Sequence, residues 1–202
     1  MQKQIHIIST GQQTKELFIE KIIAVHEEID FIHIRERSWA VMEVIDTVNI
    51  LVQFGVPLSK IIINDRVDIA ASIHARGVQL TSHSVSIDYV KKHHPNLLVG
   101  SSVHSVSEAI DKEKAGADYL LYGHIFKTDS KKGVAPRGVD SLMTIREQVS
   151  IPIIAIGGIT PDTVPAVVQA GANGVAVLSG ILLEKDTVEA AKKYKQALEG
   201  LQ

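Results

Sequence analysis

Arg35 and Arg37 in FIHIRER, Asn64 and Asp65 in IIINDR, Ser102 in LLVGSS and His124 in YLLYGH share a setting: each follows a short apolar run closely. Arg35 and Arg37 lie two apart, so they point to the same side of an extended segment. A guanidinium there forks onto a carboxylate or a phosphate, or pairs at the surface with Glu36 or Asp30. Asp65 is either a functional carboxylate or the N-cap of the helix that follows. His124 opens a polar stretch carrying Lys127, Thr128, Ser130 and Lys131, and Lys131 either reaches a ligand or belongs to a solvated loop face. Two further joints are rich in glycine. IIAIGGITPD places Gly157 and Gly158 before an N-cap at Thr160 and a first helical residue at Pro161, and GVAVLSGI offers Ser179 and Gly180. Glycines admit a close ligand, and amides near a helix start attract an anion, so these four residues are the expected phosphate-binding set.

The apolar runs must be strands that place their C-terminal ends at a common mouth. Strands are expected at 4–8, 31–34, 60–63, 77–80, 96–100, 118–121, 153–156 and 174–177. Helical periods fall between them, at 14–26, 41–54, 66–73, 87–92, 106–115, 139–149, 161–170 and 187–198. In the second helix Val41, Val44, Ile45, Val48 and Leu51 fall on one face. Runs such as IIIN and IIAI are continuous rather than alternating, the pattern of a parallel sheet covered on both faces. About eight βα units in 202 residues predict a single-domain (β/α)8 TIM barrel spanning 1–202, with an open doubly wound sheet as the alternative. In such barrels chemistry sits where strands end, and the residues named above all fall there. His33 and His104 are expected close to the mouth, whereas His26, His74, His93 and His94 read as surface residues.

Composition narrows the function. The formal charge is −2, with 45% hydrophobic and 22% charged residues, so neither nucleic acid nor an anionic membrane is an expected partner. The chain has no cysteine, which excludes disulfides and thiolate chemistry. MQKQIHIIST is too short an apolar stretch for a signal peptide or a membrane span, so a cytoplasmic location is expected. No histidine pair has metal-ligand spacing with a nearby carboxylate, and no metal site is expected.

HIRER, NDRVDIA, GSSVHSVSEA, AGADYLLYGHIFKTDSKKG, IPIIAIGGITPD and AGANGVAVLSGI, taken in order, resemble thiamin phosphate synthase and its sister group, the TenI-type thiazole tautomerases. The synthase joins a pyrimidine diphosphate to a thiazole phosphate and uses Mg²⁺ to hold the departing pyrophosphate. Against its motifs this chain has His33 for a glutamine, Arg37 for a lysine, Ser84 for the second metal aspartate, and His124 for a proline. The resemblance therefore implies the tautomerase branch. His124 is the expected acid/base of an aromatising proton shift on a thiazole phosphate, with no cofactor. Arg35, Arg37, Asn64, Ser102, Thr128 and Lys131 are the expected substrate-binding residues. A homodimer is implied by the family alone. The competing readings are the Mg²⁺-dependent synthase itself and a ligand-binding or regulatory barrel without turnover.

Overall fold

The computed structural model describes residues 3–200, in which eight parallel strands close into a barrel, each neighbour hydrogen-bonded to the next and β8 returning to β1. The strands are β1 (Gln4–Ile8), β2 (Phe31–Ile34), β3 (Ile61–Asn64), β4 (Gly77–Leu80), β5 (Leu98–Val103), β6 (Tyr119–Gly123), β7 (Ile153–Ile156) and β8 (Gly174–Val177). The helices are α1 (Lys15–Val25), α2 (Val41–Gln53), α3 (Val67–Ser72), α4 (Ile87–His93), α5 (Val106–Lys114), α6 (Gly138–Gln148), α7 (Val164–Gln169), α8 (Ser179–Leu182) and α9 (Thr187–Glu199). The expected (β/α)8 architecture is the one observed, and the open sheet is excluded by the pairing of β1 with β8.

Local chemistry starts and stops these elements. Thr14 accepts a hydrogen bond from the Leu17 amide and begins α1. Glu43 reaches back to the Ala40 amide at 2.7 Å and begins α2. Asp186 accepts from the Glu189 amide and begins α9. Each satisfies an amide that the first helical turn leaves unpaired. Pro161 opens a 3-10 turn, Pro161–Thr163, that leads into α7, so the expected 161–170 helix is two pieces. On α2, Val44, Thr47, Val48 and Leu51 are buried, while Val41, expected on that face, is 41% exposed. Thr47 can take the inner position because its hydroxyl donates to the Glu43 carbonyl at 2.7 Å.

The register shows how the barrel interior is layered. Rising one residue at each strand from His33 leads through Ile63, Gln79, Ser101, Leu121, Ala155, Ala176 and Ile7 back to His33. Alternate members face inward, so one layer holds His33, Gln79, Leu121 and Ala176. By the same stepping, Tyr119 with Phe31, Gly77 and Gly174 lies at the bottom, and His6, Ile62, Gly100 and Ile154 lie above them. The layer above His33 is Ile8, Asn64, Ser102 and Ile156, and Arg35, Thr81, Gly123 and Leu178 form the mouth. The outward-facing strand residues pack with the helices in one large apolar shell. Among the described residues no helix is long and apolar enough to cross a membrane.

Candidate active site

At the mouth, β6 and β7 deliver two loops that lock together. The Ile125 amide donates to the Ile156 carbonyl and the Phe126 amide to the Gly157 carbonyl, both at 2.9 Å. A Cβ on Gly157 would lie 2.2 Å from the Cβ of His124, and one on Gly158 would lie 2.4 Å from the Lys127 carbonyl oxygen. Both glycines have positive φ, +99° and +65°. Their small size and their backbone conformation are thus required by this contact. The amides of Gly157, Gly158, Ser179 and Gly180 find no acceptor among the described residues. Gly180 has a packing reason as well: a Cβ there would sit 2.5 Å from the Tyr194 hydroxyl, which donates to the Ile159 carbonyl.

His124 is 6% exposed, beneath the chain that follows β6. Its Nε2 donates to the Val134 carbonyl at 3.2 Å. The same loop is fastened at its far end. The Arg137 amide donates to the His124 carbonyl, and the Arg137 Nε donates to the Gly123 carbonyl at 3.1 Å. Thr128 lies in this loop and its hydroxyl accepts from the Ser130 amide, so it acts locally as a turn cap. Lys131 is exposed, and its ammonium makes no hydrogen bond or ion pair among the described residues.

Arg35 is half-buried at the mouth, with its amide donating to the buried Ser9 hydroxyl at 2.7 Å. Burial, reinforced by the charge of Arg37, holds its guanidinium below the usual arginine range. The two carboxylates expected as its surface partners are otherwise engaged: Glu36 accepts from the Gly11 amide and Asp30 from the Ile5 amide. Arg37 is exposed. Asn64 and Ser102 share the layer below, and Ser102 Oγ accepts from Gln79 Nε2 at 3.1 Å.

Asp65 has φ +67° and does not cap α3 with its side chain; the residue before that helix is Arg66, which pairs with Asp68. The Asp65 carboxylate instead accepts a 2.5 Å hydrogen bond from the hydroxyl of Ser84. The described residues contain no group of three or more His, Asp or Glu arranged to hold a metal ion. A hard dication is held chiefly by carboxylate oxygens, and one carboxylate tied to a neutral hydroxyl does not fit the two-aspartate magnesium site of the synthase.

His33 does not lie at the mouth. It has no exposed surface and pairs with His6 inside the barrel, because its position on β2 faces inward one layer below Asn64. His104 is exposed, with Nδ1 donating to the Gly123 carbonyl at 2.9 Å. The buried set His6, Gln79 and Tyr119 escaped the sequence reading. Its signal was available as inward alternation on three strands.

The sequence of the thiamine monophosphate synthase family matches residues 5–181. The chain belongs to that family. A thiamine-phosphate synthase from Natronomonas pharaonis is 35% identical over 201 residues, covering 96% of this chain and 91% of that protein. One from Pyrococcus abyssi is 39% identical over 137 residues, so the chain spans 66% of that relative's length. A solved structure of the thiamine phosphate pyrophosphorylase from Pyrococcus furiosus superposes with a TM-score of 0.82 at 29% identity, covering 98% of this chain and 96% of that one. These relatives correct the expectation of an isomerase. Both relatives carry the thiamine-phosphate synthase name, which overturns the tautomerase reading that rested on His124 replacing a proline.

Proposed function

We propose that the chain is an enzyme of the thiamine-phosphate synthase type, joining a pyrimidine diphosphate to a thiazole phosphate at the mouth of the barrel. The observation that carries this reading is the similarity along nearly the whole chain to the Natronomonas pharaonis protein of that name. In the transfer, the carbon–oxygen bond to the diphosphate breaks, a bond from that carbon to the thiazole forms, and pyrophosphate leaves with the electron pair. The thiazole phosphate sits on the free amides of Gly157, Gly158, Ser179 and Gly180 and the Ser179 hydroxyl. His124 buttresses Gly157 and so shapes that cradle. Arg35, backed by Arg37, supplies fixed positive charge for the diphosphate, in a half-buried place where a guanidinium acts more strongly than in water. Asn64 and Ser102 form the floor beneath the rings, and Thr128 and Lys131 border the site from the loop after β6. Orienting both partners in this way removes much of the entropic barrier to their union.

A second reading has its own support. The Asp65–Ser84 hydrogen bond occupies the carboxylate that a diphosphate's counter-cation would need, which favours a barrel that binds a phosphorylated ligand without transfer. Purified protein given both substrates, with and without magnesium, separates the two. Formation of thiamine phosphate and release of pyrophosphate supports the synthase. Calorimetric binding of thiazole phosphate with no product supports the binding protein.

A further inference from the structure

Three buried polar atoms inside the barrel are without partners: His33 Nδ1, Gln79 Oε1 and the Tyr119 hydroxyl. Their residues are 0%, 1% and 4% exposed. A buried polar atom left unsatisfied is destabilising, so these three call for a partner.

Their protonation can be followed from neighbour to neighbour. His6 Nε2 lies 3.3 Å from Gln4 Oε1, an acceptor, so Nε2 carries the proton and His6 Nδ1 is bare. His6 Nδ1 lies 2.8 Å from His33 Nε2, which must therefore donate, leaving His33 Nδ1 as an acceptor. Desolvation keeps both rings neutral, with His33 pushed down to about 3 and His6 well below its ordinary value. Gln79 is oriented by its amide nitrogen, which donates to Ser102 Oγ at 3.1 Å and approaches the Leu80 carbonyl at 3.4 Å, so its Oε1 is turned inward. Tyr119 rises from the bottom layer through the space left by Gly100. Its hydroxyl and Gln79 Oε1 each lie 2.4 Å from the point where a Cβ on Gly100 would stand, which makes them neighbours. The Tyr119 and His33 rings are 6.5 Å apart and edge-on.

We propose that His33, Gln79 and Tyr119 hold a single buried water at the centre of the barrel. The accounting closes: the water donates to His33 Nδ1 and to Gln79 Oε1 and accepts from the Tyr119 hydroxyl. That is about the three hydrogen bonds a buried water usually makes. The water joins the histidine pair to the Gln79–Ser102 contact, giving a polar column from Gln4 to the floor of the mouth. It does not depend on which reaction the mouth performs.

The test is a crystal structure of the whole chain at a resolution that orders individual waters, together with urea denaturation of Tyr119→Phe. The expected result is one well-ordered peak within about 3.2 Å of all three atoms. The phenylalanine variant is then expected to show about a tenfold fall in its folding equilibrium constant, because the water loses a donor. Absence of the peak, direct bonding among the three side chains, or a Tyr119→Phe variant as stable as the parent overturns the proposal.

Discussion

The hydroxyl of Ser84 donates a 2.5 Å hydrogen bond to the carboxylate of Asp65. That contact links the loop after β4 to the end of β3, and it replaces a second charge with a neutral group. Ser84→Asp sets two carboxylates side by side and is expected to raise affinity for Mn²⁺ or Mg²⁺ at least about tenfold, since oxygen charge count governs binding of hard cations. Titration followed by calorimetry measures it. Equal affinity in parent and variant would show that the position has no part in cation binding.

Gly157→Ala is expected to fail twice. Its φ of +99° disfavours any side chain, and the added methyl would meet His124 at 2.2 Å. The stability loss is expected to be at least about 2 kcal/mol, and phosphate affinity should fall with it. Ser179→Ala removes only an exposed hydroxyl, so its stability should stay within about 0.5 kcal/mol of the parent. Thermal melts with and without phosphate compare the two.

Arg35→Ala should weaken binding of thiazole phosphate or the diphosphate by about 10- to 100-fold, the size of a lost hydrogen bond to a charged group. Arg37→Ala, at an exposed position, should cost less than about threefold. If the two losses were equal in isothermal titration, the half-buried guanidinium would have no special place in the site.

The histidine pair sets a pH dependence. Both rings have folded pKa values below the unfolded value near 6.5, so the unfolded chain binds more protons as pH falls. Their contribution is intact above about pH 6.5 and is lost on the way down toward 3, by up to about 1.4 kcal/mol per pH unit for each ring. Urea denaturation between pH 7 and 5 should show stability falling with acid, and a flat profile would show that the rings take up protons in the fold as readily as in the unfolded chain.

Much of this was legible in the sequence, for definite reasons. Strands such as Phe31–Ile34 and Gly174–Val177 have sharp compositional edges and fall where the apolar runs predict them. Others drift: β5 runs through Val103 because Ser101 and Ser102 continue the ladder, although their hydroxyls read as loop. The short α8 was missed because one turn shows no period. Gly157 and Gly158 were found from their joint with a strand end, while the reason for them, the proximity of His124 and Lys127, is a long-range contact that no local pattern encodes. His33 was placed a layer too high because its depth depends on the register of β2 against β3, which pairing alone reveals.

The closed stagger also governs where this chain can change its length. Eight one-residue steps must return to their origin, so losing a residue within any strand would throw every later neighbour out of phase around the whole circumference. Stretch 127–137 carries no such obligation, being fastened at its base by Arg137 and Gly138 to the carbonyls of His124 and Ile125. Insertions and deletions can gather there, and the segment above the mouth can diversify while the scaffold beneath it stays fixed.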